Sequence, residues 1–282
     1  MTAAVLTRRA FVAGSVAGFT TAEWPARHTF WVFGLLRPTK INLYPHANAR
    51  LHVRTAGGTR VLEGQIAMTI DVDRTPIHVA GPHGSDVSFV LEIPGVIRRR
   101  YFGVLTVTSS GRLLRPVVTM GREVAVGSIV GAEMPTQGTQ LHALAAQAVA
   151  ARSFLIGAAK QARHGDAQFC DTTHCQFLRA PAAAGSSVAK AVRMTSGLAI
   201  SAEAMIVPAH YSAACGGHTD DGELDGYRYR RVVCETCQLG GVKRRGHGLG
   251  LCQTGAMGLA KEGWEFGRIV AKYYAGCVIR SG

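Results

Sequence analysis

Two thiols and an imidazole fall within six consecutive residues of this chain, in Cys170-Asp-Thr-Thr-His174-Cys175, followed by Gln176. No other feature restricts the local fold so tightly. Thiolate and imidazole together suit Zn²⁺, which takes four such ligands in a tetrahedron. His164 lies six residues before Cys170 and is the candidate fourth ligand. Four protein donors leave the metal no open position, so such a site ties a loop together and the chemistry lies elsewhere. The competing reading is a Cys170–Cys175 disulfide beside an incidental histidine. Metal is the better reading, because a bare disulfide leaves His174 unexplained.

Five further cysteines follow: Cys215, Cys234, Cys237, Cys252 and Cys277. Cys234-Glu-Thr-Cys237 has the spacing of a metal knuckle. With Cys215 and Cys252 it makes either a second four-thiolate site or two disulfides, and an oxidising compartment favours the disulfides. Cys277 has no evident partner.

The compartment is read from the N-terminus. Thr7-Arg8-Arg9-Ala10-Phe11-Val12 precedes a Gly- and Ala-rich apolar run to Thr21, with no acidic residue before Glu23. This is the pattern of a twin-arginine export signal over residues 1–26, with cleavage after Ala22 or Ala26. The run is too short to span a bilayer comfortably, so the mature chain is expected to have no stable transmembrane span. The expected location is outside the cytoplasm, periplasmic or wall-associated. The net charge of +13 points to an anionic partner. Nucleic acid is not expected. Arg98-Arg99-Arg100 and Lys243-Arg244-Arg245 are the dense basic runs, and no nucleic-acid motif accompanies them.

The texture of the chain divides near residue 120. Before it, short apolar or alternating runs predict strands over 30–36, 40–43, 51–54, 61–62, 66–70 and 87–91. The runs 101–107 and 113–118 flank Ser109-Ser110-Gly111 and predict a hairpin. After it, helices are expected over 124–134, 140–162, 182–194, 256–262 and 265–274. Strands are expected over 198–206 and 209–213, and a polar loop-rich stretch over 221–250. The fold class is therefore α+β. A β-rich N-terminal lobe (about 27–120) precedes a mixed helix and strand catalytic lobe (about 121–282), in one domain over 27–282.

Glu133 closes an apolar run just before Met134-Pro135. Burial there would raise its pKa and keep the carboxyl protonated near neutral pH, as a general acid requires. On the residues alone, the simpler reading is a helix-terminal glutamate facing water. Gln147 and Arg152 are placed on the polar side of the Ala-rich helix, where they could share a cleft with Glu133. His247 sits among Gly246, Gly248 and Gly250, and these glycines allow close approach of a ligand to the backbone. Tyr211 opens a small-residue turn that runs to Thr219. Cys252 with His247 could instead form a nucleophile and base, but nothing in the sequence activates the thiol.

Taken in order, Gly131–Pro135, Ala146–Ser153, Cys170–Gln176, Tyr211–Thr219, Gly246–Ala256 and Tyr273–Gly276 resemble the stage II sporulation protein D family. The resemblance spans about 150 residues, and the β-rich lobe is similar too. Members are peptidoglycan lytic transglycosylases or amidase enhancers. The resemblance implies a catalytic role for Glu133 and zinc ligation by Cys170, His174 and Cys175, with His164 as the fourth ligand. The chain departs from the commoner pattern at Cys215, Cys234, Cys237 and Cys252, and in starting with an export signal. The implied activity is cleavage of peptidoglycan glycan strands to 1,6-anhydro ends in wall remodelling. Gln147, Arg152, Tyr211 and His247 are the expected substrate contacts. The rival expectations are a non-catalytic wall-binding activator of an amidase and a zinc hydrolase.

Overall fold

The computed structural model describes residues 24, 26–161, 163–203 and 205–282. The arginine pair and the apolar run after it lie outside the described residues.

Among the described residues nine strands come first: β1 (Arg27–Trp31), β2 (Ile41–Pro45), β3 (Leu51–Thr55), β4 (Gly58–Leu62), β5 (Met68–Ile70), β6 (Ile77–Ala80), β7 (Val87–Ile93), β8 (Ile97–Ser110) and β9 (Leu113–Gly121). The alternating burial of β2 and of most of β8 follows the two-residue period of a sheet with one face on a core. The predicted hairpin is present, with Gly111 at φ 58°. β8 is long enough to serve two neighbours. Its first half pairs with β7 and its second half with β9 and β6. Gly103 stands at the changeover, at φ 154°, and a Cβ there would lie 2.3 Å from the Thr119 carbonyl oxygen. Only glycine fits such an approach.

The second part opens with α1 (Arg122–Glu133) and α2 (Leu141–Gly157), followed by β10 (Phe169–Cys170), α3 (Ser187–Met194), β11 (Leu198–Ala202), β12 (Met205–Ile206) and β13 (Tyr211–Ser212). It continues with β14 (Gly222–Leu224), β15 (Tyr227–Tyr229), α4 (Glu235–Leu239), β16 (Leu251–Cys252), α5 (Gln253–Lys261), α6 (Phe266–Tyr273) and β17 (Val278–Ser281). The fold is α+β. The helix α2 is buried from Ala143 to Ile156 and forms the axis of this part. Its alanines let α1, α3, α5, α6 and β11 all approach it. The helical run Leu141–Gln161 that it opens is long and apolar enough to cross a bilayer, yet most of it is buried inside the protein.

The two parts share one sheet. β10 adds to β1 in parallel, with Phe30 opposite Phe169 and Trp31 opposite Cys170. The candidate metal loop therefore starts from the edge of the first part's sheet. Two small pairings complete the frame. β13 and β16 run parallel, with Tyr211 opposite Leu251 and Ser212 opposite Cys252. β17 returns antiparallel to β11.

Candidate active site and metal centre

Glu133 is the last residue of α1 and is half-buried. Its Oε1 accepts a 2.8 Å hydrogen bond from the Phe177 amide. The Gln253 side chain and the Arg179 guanidinium lie near enough to favour the charged form. Burial nevertheless dominates and pushes the carboxyl pKa above its ordinary value. The Tyr211 hydroxyl donates to Gln176 Oε1 at 2.7 Å. Burial and the nearby Glu133 charge hold that hydroxyl well above its ordinary pKa, so it stays neutral and remains a donor. Gln176 is fixed in turn by a 3.2 Å bond from its Nε2 to the Ala151 carbonyl on α2.

Gln147 belongs to this neighbourhood. It is fully buried, and its Oε1 accepts from Gln253 Nε2 at 3.4 Å. Its own Nε2 has no hydrogen-bond partner among the described residues. Its place is beneath the site, not on a polar helix face.

Arg152 is elsewhere. It is 0% exposed and grips Glu123 with two bonds, at 2.8 and 2.6 Å, while its Nη1 donates to the Leu198 carbonyl at 3.0 Å. Glu123 lies in the first turn of α1 and Glu133 is its last residue, ten positions and about 15 Å along the axis away. The expected polar face of α2 does not exist, and Arg152 shares no cleft with Glu133. Its guanidinium is committed to holding α1, α2 and β11 together.

His247 is exposed on its glycine loop. Its Nδ1 accepts the Leu249 amide at 3.0 Å, and its ring meets His210 edge-on at 5.5 Å. His210 is bonded through Nε2 to Asp225 at 2.8 Å. His247 therefore sits at a second histidine, on the loop that leads through β16 to Gln253.

The metal-type donors converge. One ligand atom from each of His164, Cys170, His174 and Cys175 lies within 4.8 Å of every other. His164 Nε2 is 3.2 Å from Cys175 Sγ, and His174 Nδ1 is 3.6 and 3.8 Å from Cys175 Sγ and Cys170 Sγ. Zinc bonds of about 2.0–2.3 Å imply tetrahedral edges of roughly 3.3–3.8 Å, so the four donors fit a tetrahedral ion. The loop that carries them is anchored to the sheet. Arg99 on β8 bonds Asp171 at 2.6 Å, Asp171 also accepts the Phe33 amide at 3.3 Å, and Arg115 on β9 is paired with Asp166. The same loop then delivers Gln176 and Phe177 to Tyr211 and Glu133.

Gln176, Phe177, Arg179 and Gln253 were not singled out by sequence reasoning. Gln176 and Gln253 sit inside the motifs quoted above, which was the available signal. The Phe177 contact is made through a backbone amide and leaves no trace in side-chain identity.

These observations define a class: an α+β domain whose helix-terminal carboxyl is held by a loop that four metal-type donors close. Residues 112–201, from β9 to β11, match the family model SpoIID, stage II sporulation protein. None of the curated proteins compared matches the chain.

Proposed function

We propose that this protein is a peptidoglycan lytic transglycosylase. The observation that carries the reading is Glu133, a half-buried carboxyl with raised pKa, oriented by the Phe177 amide with the Gln253 side chain nearby. In the proposed reaction Glu133 gives its proton to the glycosidic oxygen after an N-acetylmuramic acid, and the bond from the anomeric carbon to that oxygen breaks. The 6-hydroxyl of the same sugar forms the new bond to the anomeric carbon, and its proton returns to Glu133. The product is a 1,6-anhydro end, and the enzyme finishes in its starting protonation state. One carboxyl suffices, because the nucleophile is already held by the substrate.

Tyr211, as a neutral donor beside Glu133, is assigned to the substrate, and His247 to the rim. Gln147 supports Gln253 from below. His164, Cys170, His174 and Cys175 would hold a zinc ion whose contribution is to fix the loop bearing Gln176 and Phe177. Four protein donors would saturate that ion, which argues against a zinc hydrolase. The positive charge of the chain favours an anionic wall. We place the protein outside the cytoplasm, where that wall lies.

The test is Glu133→Gln, with purified glycan strands as substrate. The variant should fold and bind strands, and should lose cleavage by about 10²-fold or more. Mass spectrometry of wild-type products should show 1,6-anhydro ends. New reducing ends would mean hydrolysis by water. Wild-type protein that binds strands, leaves them intact and stimulates an amidase would replace this reading with a non-catalytic activator.

A further inference from the structure

We propose a second metal centre, a structural zinc held by the four thiolates of Cys215, Cys234, Cys237 and Cys252. It does not depend on the catalytic reading. The four sulfurs lie within 4.8 Å of one another, and all four residues are buried. Cys237 Sγ and Cys252 Sγ are 3.5 Å apart. A tetrahedron of zinc–sulfur bonds near 2.3 Å has edges of about 3.8 Å, whereas a disulfide needs about 2.05 Å.

The surroundings are those of charged sulfur. Cys252 Sγ accepts the amides of Cys215 and Gly255, each at 3.3 Å. It also caps the N-terminus of α5, where the helix dipole favours an anion. The Tyr273 hydroxyl lies 3.5 Å from Cys234 Sγ. Such N–H···S bonds offset the charge of a tetrathiolate site and orient its ligands. Gly255 completes the enclosure. A Cβ at that position would lie 2.5 Å from Cys234 Sγ and 2.0 Å from the Tyr273 hydroxyl oxygen. Helix α5 can approach the cluster only because this residue is glycine.

The centre has a defined mechanical role. Cys252 is followed directly by Gln253, which reaches Glu133 and Gln147. Cys215 follows β13, which carries Tyr211. Cys234 and Cys237 come from α4, a separate excursion of the chain. The ion would clamp β13, β16 and α4 together and so set the positions of Gln253 and Tyr211. Glu133 then lies between two tied loops, each of which supplies hydrogen-bonding groups to its neighbourhood.

The experiment uses the full chain, purified without chelator and handled anaerobically. Zinc is counted by elemental analysis and native mass spectrometry in wild type, Cys237→Ser and Cys175→Ser. The expected result is one equivalent of zinc that is lost in Cys237→Ser and retained in Cys175→Ser. Cobalt exchanged into Cys175→Ser should give the intense visible bands and sulfur-to-metal charge transfer of a four-thiolate tetrahedral site. If Cys237→Ser does not fold, wild type still decides. Its four cysteines should resist alkylation until metal is stripped under denaturing conditions, and then all four should react without reductant. Disulfides mapped among these four, iron in place of zinc, or a zinc content unchanged by Cys237→Ser in folded protein would each overturn the proposal.

Discussion

At the residue scale the decisive quantity is the proton on Glu133. Burial raises its pKa above the ordinary carboxyl value in the native state. The native protein therefore binds this proton more tightly than the unfolded chain does. The associated stability is fully present below the ordinary carboxyl pKa and is lost as pH rises through the raised native value. Glu133→Gln has no such proton, so wild-type stability relative to the variant should fall with pH across that window. Urea titrations at a series of pH values measure this. Cleavage should fall on the same alkaline limb, since the general acid is then ionised. A rate that rises through that window would contradict the acid role. Arg152 carries a different prediction. Arg152→Met leaves the Leu198 carbonyl without its donor and Glu123 with only its 3.6 Å pairing to Arg122, at a cost of about 3 kcal/mol in denaturant unfolding, at the lower end for a broken buried ion pair because Glu123 keeps Arg122 and access to water. Sequence placed this residue wrongly for a physical reason. Alanine surrounds the whole of α2, so no apolar stripe marked the buried side.

At the element scale the hairpin of β8 and β9 and the helices α1, α2, α5 and α6 were legible, because their periods run long enough to read. The strands β6, β10 and β17 were not, having two to four residues each. Two boundaries moved for identifiable reasons. The strand expected over 30–36 ends at Trp31, because Phe33 turns to φ 59° and gives its amide to Asp171, a partner 138 residues away. The helix expected from 182 starts at Ser187, where Ser186 caps it by accepting the Ala189 amide. The loop between β10 and α3 carries the next prediction. Zinc returned to metal-stripped wild type should raise the melting temperature, with about 4 kcal/mol gained when free metal exceeds Kd a thousandfold. Cys175→Ser should keep only part of that gain, and should lose cleavage as Phe177 and Gln176 lose their fixed positions. A variant with the full zinc response would detach His164, Cys170, His174 and Cys175 from metal binding.

For the whole molecule, the α+β class was readable from the change in texture near residue 120. The sharing of one sheet between the two parts was not, since it rests on a two-residue strand paired across long separation. Delivery to the wall is predicted from Arg8 and Arg9. Replacing both with Lys should leave the precursor in the cytoplasm, as followed by fractionation and immunoblotting; mature protein outside at the normal level would refute the twin-arginine route. That route and the parallel pairing of β1 with β10 meet in the timing of synthesis. β1 finds its neighbour β9 only when residue 121 has been made, and its other edge stays open until residues 169 and 170 arrive. At about 5–20 residues per second, roughly 7–28 s separate the emergence of Phe30 from that of its partner Phe169. For that interval β1 keeps at least one open edge, so the nascent chain should depend on holding chaperones until the metal loop is translated.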